Sequence, residues 1–213
     1  MERREDVTPS EIPAFNDDFT EAVAFATRLH ASQMRKETDI PYISHLIGVA
    51  GLVLEHGGGR DAAIGALLHD SIEDQGQSYQ GGPDALKAEI RQRFGETVLK
   101  IVEGCTDSET VPKPLWEERK RRYITHLAEV PEAVRLVSCA DKLHNARAIV
   151  SDIRVMGDAL FERFKGGKSG TLWYYRALAD TFLKLGPMRL AQELVRTVEQ
   201  MEQLAHVRSQ SNK

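Results

Sequence analysis

Apolar residues recur along this chain at the three-and-four spacing of helix faces, and no run alternates at the period of two that marks a strand between hairpin turns. From about Asp18 to Met34, Phe19, Ala22, Val23, Phe25, Ala26 and Leu29 form one broad stripe, with Asp17 or Asp18 placed to cap the start. A polar loop from Arg35 to Pro41 leads to a second helix near Ser44 to His56, capped by Ser44 and closed by Gly57. The third, about Arg60 to Glu73, is apolar on every side over Ala62 to Leu68, which predicts a helix buried all round.

After a Gly/Gln/Ser-rich loop from Gln75 to Gly82, Pro83 suits the first turn of a helix that stops at Gly95, and another runs to about Gly104. Beyond the polar segment Thr106 to Pro114, helices are predicted over about Leu115 to Glu129 and, starting at Pro131, over Glu132 to Val150. The glycines of Gly166 to Gly170 break the chain before two last helices, about Thr171 to Leu185 and Met188 to Arg208, which Gly186-Pro187 separates. The pattern predicts an all-α, single-domain multi-helix bundle over residues 18–208, with an N-terminal extension (1–17) and a disordered tail (209–213). The apolar stripe of the last helix, Ala191 to Ala205, fits burial against the domain, the reading adopted, or against a second copy of the chain.

Composition narrows the partners. A net charge of −4 and a pI near 6.0 over 213 residues leave no electrostatic footprint for nucleic acid, and no basic block suggests a membrane surface. The first residues lack the apolar segment of a secretory signal, and no apolar run approaches the roughly 20 residues needed to span a bilayer. Cys105 and Cys139 have neither disulfide-framework nor zinc-thiolate spacing and read as reduced core cysteines. A cytoplasmic protein acting on a small molecule is expected.

The densest chemistry lies in His69-Asp70-Ser71-Ile72-Glu73-Asp74, where the buried third helix ends. A buried imidazole beside three carboxylates costs several kcal/mol per unpaired ion unless something compensates, and a divalent cation does so best. With the helix continued to Asp74, Glu73 falls one turn beyond His69 and Asp70 on the same side. Two further donors suit such a site. His45 opens the second helix, with Gly48, Ala50 and Gly51 behind it to permit close helix approach, and Asp141 interrupts an apolar helix where a lone carboxylate is unwelcome. Two imidazoles and two carboxylates form a mixed N/O set suited to Mn²⁺, Fe²⁺, Zn²⁺ or Mg²⁺. Such a cation acidifies bound water and polarises a phosphoryl oxygen, and Glu73 and Asp74 are then placed to orient or deprotonate the water. His30, His56, His126, His144 and His206 read as amphipathic or helix-end histidines outside the site, and the run Glu117 to Arg122 as a solvated face with i,i+4 pairs.

Four segments carry a resemblance: Arg35-Lys36 before Pro41-Tyr42-Ile43-Ser44-His45; Leu67 to Asp74; Phe94-Gly95 with Val102 to Thr106; and Ala140 to Arg147. In order and spacing, from about Phe19 to Val150, the chain resembles the HD-superfamily phosphohydrolases, and more narrowly the hydrolase domain of RelA/SpoT-type alarmone enzymes. The resemblance implies one Mn²⁺ on His45, His69, Asp70 and Asp141, catalysis by Glu73 and Asp74, and release of pyrophosphate from the 3′ position of ppGpp and pppGpp. It also implies that Arg35 stacks on the base and that Lys36, Asn145 and Arg147 meet sugar and phosphates. Lys142 and Tyr174 are added to the substrate-binding set. Lys165 and Lys168 flank the glycine loop, where closing over phosphates competes with a solvated loop.

The chain is too short for the synthetase domain of the long enzymes, so it looks like a small stand-alone alarmone hydrolase. Its loop between Lys36 and Pro41 is one residue longer than the common pattern, which keeps ppApp as an alternative substrate; the same metal site acting on NADPH or another nucleotide phosphate ester is a second enzyme reading. A non-catalytic alarmone sensor is the alternative from another class, and the presence of both Glu73 and Asp74 argues against it.

Overall fold

A computed structural model describes residues 17–106 and 114–211. Nearly all of the expected N-terminal extension and most of the polar segment Thr106 to Pro114 lie outside the described residues. Within them the chain is all-α: α1 (Asp17–Leu29), α2 (Ile43–Glu55), α3 (Arg60–Leu68), α4 (Ser71–Gln75), α5 (Gly82–Phe94), α6 (Glu96–Cys105), α7 (Trp116–His126), α8 (Glu132–Met156), a 3₁₀ helix (Gly157–Arg163), α9 (Gly167–Leu185) and α10 (Met188–Ser211). The only β-like pairing among them is an isolated antiparallel bridge between Met34 and Pro41.

The long helix α8 is the axis of the bundle. It packs against α2, α3 and α6 on one side and α9 and α10 on the other. Helix α3 is buried from Ala62 through Leu68, as its all-apolar pattern requires. Each large side chain there, such as Ile64, Leu67 or Leu68, adds roughly 2 kcal/mol by leaving water. The stripe of α10 closes onto α8 and α9 within the chain, with Leu194, Val198, Met201 and Ala205 fully buried. No helix among the described residues is long and apolar enough to cross a membrane.

Several boundaries differ from the sequence pattern, each for a local reason. Helix α1 stops at Leu29, before Met34, because the following residues form a hairpin-like loop held by Arg35 N–H to Ile40 C=O (2.8 Å) and Tyr42 N–H to Gln33 C=O (2.9 Å). Ser44 lies inside α2 and caps nothing; Tyr42 takes the cap position without a side-chain hydrogen bond. The helix expected to run unbroken to Glu73 ends at Leu68, and α4 begins afresh at Ser71 after Asp70 takes up φ −97°, ψ −1°. Helix α8 runs past Val150 to Met156, since nothing breaks it before Gly157 at φ 66°.

The glycine stretch is not a flexible break. Gly167 to Gly170 form the first turn of α9, and Lys168 Nζ is fixed to Asp158 (2.8 Å) and to the carbonyl of Ala205 (2.7 Å), so it does not reach over the site. Helix α10 continues through Ser211, into the tail expected to be disordered.

Candidate metal centre

Three helices converge to bring four donor groups together. His45 comes from the first turn of α2, His69 and Asp70 from the break between α3 and α4, and Asp141 from the middle of α8. His45 Nε2 lies 3.3 Å from Asp141 Oδ1 and 3.7 Å from Asp70 Oδ2; His69 Nε2 lies 2.9 Å from Asp70 Oδ2 and 3.8 Å from Asp141 Oδ1. Donor atoms of His45, His69 and Asp70 all lie within 4.8 Å of one another.

The second nitrogens of the two imidazoles set their tautomers. His69 Nδ1–H donates to the Ala66 carbonyl at 2.8 Å, which turns the Nε2 lone pair toward the carboxylates. His45 Nδ1 meets His144 Nδ1 at 3.0 Å. With His45 Nδ1 as donor, His144 must accept and be neutral. Burial, and then the positive neighbours His45 and Arg35, lower its pKa to about 4, as that role needs.

Neither Nε2 has a hydrogen-bond partner among the described residues, although both are buried and face carboxylate oxygens. A buried nitrogen so placed is costly unless a proton or a metal cation stands between its lone pair and the carboxylates. Two imidazole nitrogens and two carboxylate oxygens therefore fit a divalent ion of intermediate softness.

The carboxylates are held by a second layer. Tyr42 Oη donates to Asp70 Oδ2 at 2.5 Å. Asp141 accepts from Asn145 Nδ2 at Oδ1 and from Lys142 Nζ at Oδ2, both at 2.5 Å. Burial opposes charge on both acids, yet Lys142 and the imidazoles outweigh it at Asp141, and His69 and His45 at Asp70, so both are held well below the usual carboxylate range.

Beside this cluster lies a cavity of about 370 Å³. Asp70, Glu73, Asp74 and Asp141 line it on the metal side, and Lys36, Arg119, Lys120, Lys142 and Lys165 supply positive charge. Asn145 and Tyr174 also face it. Arg35 donates to Asn145 Oδ1 at 2.8 Å and lines an adjoining cavity. Arg147 is the exception among the expected substrate-binding residues: it pairs with Glu193 on α10 at 2.7 Å and lines neither cavity.

Sequence reasoning missed several members. Arg119 and Lys120 belong to the run assigned to a solvated face, yet they line the cavity, because Trp116 docks α7 where Gly166 and Gly170 leave room for its indole. His144 and His30, which read from the sequence as amphipathic or helix-end histidines, also belong to the site. The first supports His45, and the second stacks on Tyr42 at 5.3 Å and contacts Gln33 Oε1 at 2.6 Å. Gln33 in turn donates to Asp74 Oδ2 at 2.7 Å. The approach predicted behind His45 is made at Gly48, where His144 packs, whereas Gly51 faces open space.

An all-α bundle with a His/Asp cluster able to hold a metal ion at the meeting of three helices defines the class of helical domain. The chain belongs to the HD-domain family, whose model matches residues 22–170. It is 40% identical over 130 residues to guanosine-3′,5′-bis(diphosphate) 3′-pyrophosphohydrolase MESH1 of Xenopus tropicalis, a match covering 60% of this chain and 66% of that one, just under two thirds. A second relative, guanosine-3′,5′-bis(diphosphate) 3′-pyrophosphohydrolase of Aquifex aeolicus, is 36% identical over 66% of this chain and 19% of its own length. Among solved structures, a metazoan ortholog of SpoT described as hydrolysing ppGpp superposes with a TM-score of 0.69 at 26% identity, over 87% of this chain and 96% of that one.

Proposed function

We propose that this protein is a divalent-metal-dependent hydrolase that removes the 3′-pyrophosphate of ppGpp and pppGpp, giving GDP or GTP and pyrophosphate. One observation carries the reading: a His/His/Asp/Asp donor set stands at one side of a cavity whose other residues include five cations, the charge balance that a metal and a nucleotide bearing two pyrophosphates require. Relatives that bear the corresponding name support it.

His45, His69, Asp70 and Asp141 would hold the ion, with Mn²⁺ proposed and Fe²⁺, Zn²⁺ or Mg²⁺ as the alternatives this donor set accepts. A divalent cation held there supplies Lewis acidity toward water and a phosphoryl oxygen. Glu73 and Asp74, on the short helix α4, orient the attacking water and take its proton, and Gln33 fixes the Asp74 carboxylate for that task. The bond between O3′ and its phosphorus breaks, pyrophosphate leaves, and O3′ takes up a proton.

Lys142 stays charged throughout: burial opposes its charge, but Asp141 outweighs that and raises its pKa well above the usual lysine value. With Lys36 and Lys165 it neutralises the phosphates, while Asn145 links Asp141 to Arg35 and so joins the metal site to the base platform. Tyr174 forms the apolar wall beside them.

The test is turnover of ppGpp by the Mn²⁺-loaded protein, followed by release of GDP and pyrophosphate. Activity is expected to vanish with chelator and in His69→Ala. A folded, metal-loaded protein that leaves ppGpp untouched would contradict the proposal.

A further inference from the structure

A second cavity, about 330 Å³, adjoins the first through the shared walls of Lys36, Tyr42, Asn145, Phe164 and Tyr175. Arg35 lines it, and its only acid among the described lining residues is Asp152. Asp152 lies on the part of α8 that runs past Val150, and its side chain is 42% exposed. Arg163 Nη1 holds its Oδ2 at 3.2 Å. Arg163 is fixed in turn, since its carbonyl accepts from Lys36 and its Nη2 contacts Met156 Sδ at 3.0 Å. The carboxylate is thus anchored by one oxygen at the rim of a pocket whose other charged lining residues, Arg35, Lys36 and Arg163, are all cationic.

Helix α8 sets the spacing. Asp141, Asn145, Ala148 and Asp152 recur at four, three and four residues and share one face, roughly 16 Å long from the metal donor to the distal carboxylate. Asn145 stands between the cavities, and Ala148 with Ile149 gives the second an apolar floor beside the Arg35 guanidinium. Arg35 and Asp152 line the same cavity, so a planar base stacked on the guanidinium would have a carboxylate among its neighbours.

We propose that Asp152 selects guanine over adenine in the nucleotide substrate. This rests on reading the first cavity as the 3′-pyrophosphate site. Guanine offers two adjacent donors, N1–H and the 2-amino group, which match the two acceptor oxygens of a carboxylate. Adenine offers one donor beside a lone pair, so one carboxylate oxygen faces another acceptor. A site built to accept two hydrogen bonds rejects the base that supplies one, through both a lost bond and a repulsive contact.

The experiment compares kcat/KM for ppGpp and ppApp in the wild type, D152N and D152A, with calorimetric titration of GDP and ADP into the same three proteins. The wild type is expected to favour the guanine substrate by roughly tenfold to a hundredfold. D152N, whose amide offers one donor and one acceptor, should lose most of that preference through KM for ppGpp, with kcat little changed; D152A should lose it without gaining adenine affinity. A guanine-to-adenine ratio that is the same in all three proteins, or a wild type with no preference, overturns the role of Asp152. If neither alarmone is cleaved, the proposed reaction fails, while the titrations still decide the base. A GDP preference lost in D152N supports Asp152, and equal affinities overturn it.

Discussion

Tyr42 Oη donates a 2.5 Å hydrogen bond to Asp70 Oδ2, the same oxygen that lies 2.9 Å from His69 Nε2. Burial, and then the carboxylates of Asp70 and Asp74, push the phenol pKa upward, so it remains a donor. Tyr42 is therefore placed to orient Asp70, one of the proposed metal ligands, from the second layer. Tyr42→Phe is expected to weaken divalent-metal affinity by roughly tenfold to a hundredfold, with the melting temperature of the metal-free protein nearly unchanged. Chelator-competition titration measures this, and an unaltered affinity would remove that role from the phenol.

Protons and metal compete for His69. In the metal-free protein burial opposes its charge, but Asp70 and Asp141 outweigh that and raise its pKa from 6.5 to about 9. Metal affinity should therefore climb between pH 6.5 and about 9, with protons released on binding. Folding stability runs the other way without metal. The native state holds the extra proton in this window, so the stabilisation is complete below pH 6.5 and is lost as pH rises through about 9. Denaturant melts of chelator-treated protein at the two ends of the window test the sign, and a metal-free protein that gains stability toward pH 9 would refute it.

Gly48 is a close-approach position. A Cβ there would stand 2.4 Å from His144 Nε2 and 2.6 Å from its Cδ2, so the ring that supports His45 must move. Gly48→Ala should cost about 1–3 kcal/mol of stability and weaken metal binding as well. Adding His144→Ala makes room and should return part of the lost stability but not the metal affinity. Equal loss in the single and double variants would place the cause elsewhere.

Glu73 and Asp74 are assigned to water rather than to the ion. Glu73→Gln and Asp74→Asn should each lower kcat by roughly 10²- to 10⁴-fold while retaining the bound metal by elemental analysis. Gln33→Ala, which frees the Asp74 carboxylate from its 2.7 Å donor, should give a smaller loss of kcat with little change in KM. Loss of metal in Glu73→Gln would make that residue a ligand instead.

The donor set was legible because its residues are anomalous where they stand: charges after an all-apolar helix, a histidine at a helix start and an aspartate in an apolar run. The break between Leu68 and Ser71 was not, because nothing in the local propensities opposes a continuous helix there; the chain turns where His69 bonds back to Ala66 and Asp70 swings toward Tyr42. Supporting residues carry no local signal either. Gln33, Tyr42 and His144 gain meaning only through partners that are distant in sequence, and Arg119 and Lys120 look like any solvated helix face until Trp116 docks beside Gly166. Arg147 is the opposite case. It is near the site in sequence, but its direction on α8 sends it to Glu193.

Product identity tests the central claim most directly. Mn²⁺-loaded protein incubated with ppGpp should yield GDP and intact pyrophosphate in equal amounts, and the yield should fall to background in Glu73→Gln with its metal still bound. Orthophosphate released from either end, or no product from a fully metal-loaded wild type, would contradict a 3′-pyrophosphohydrolase.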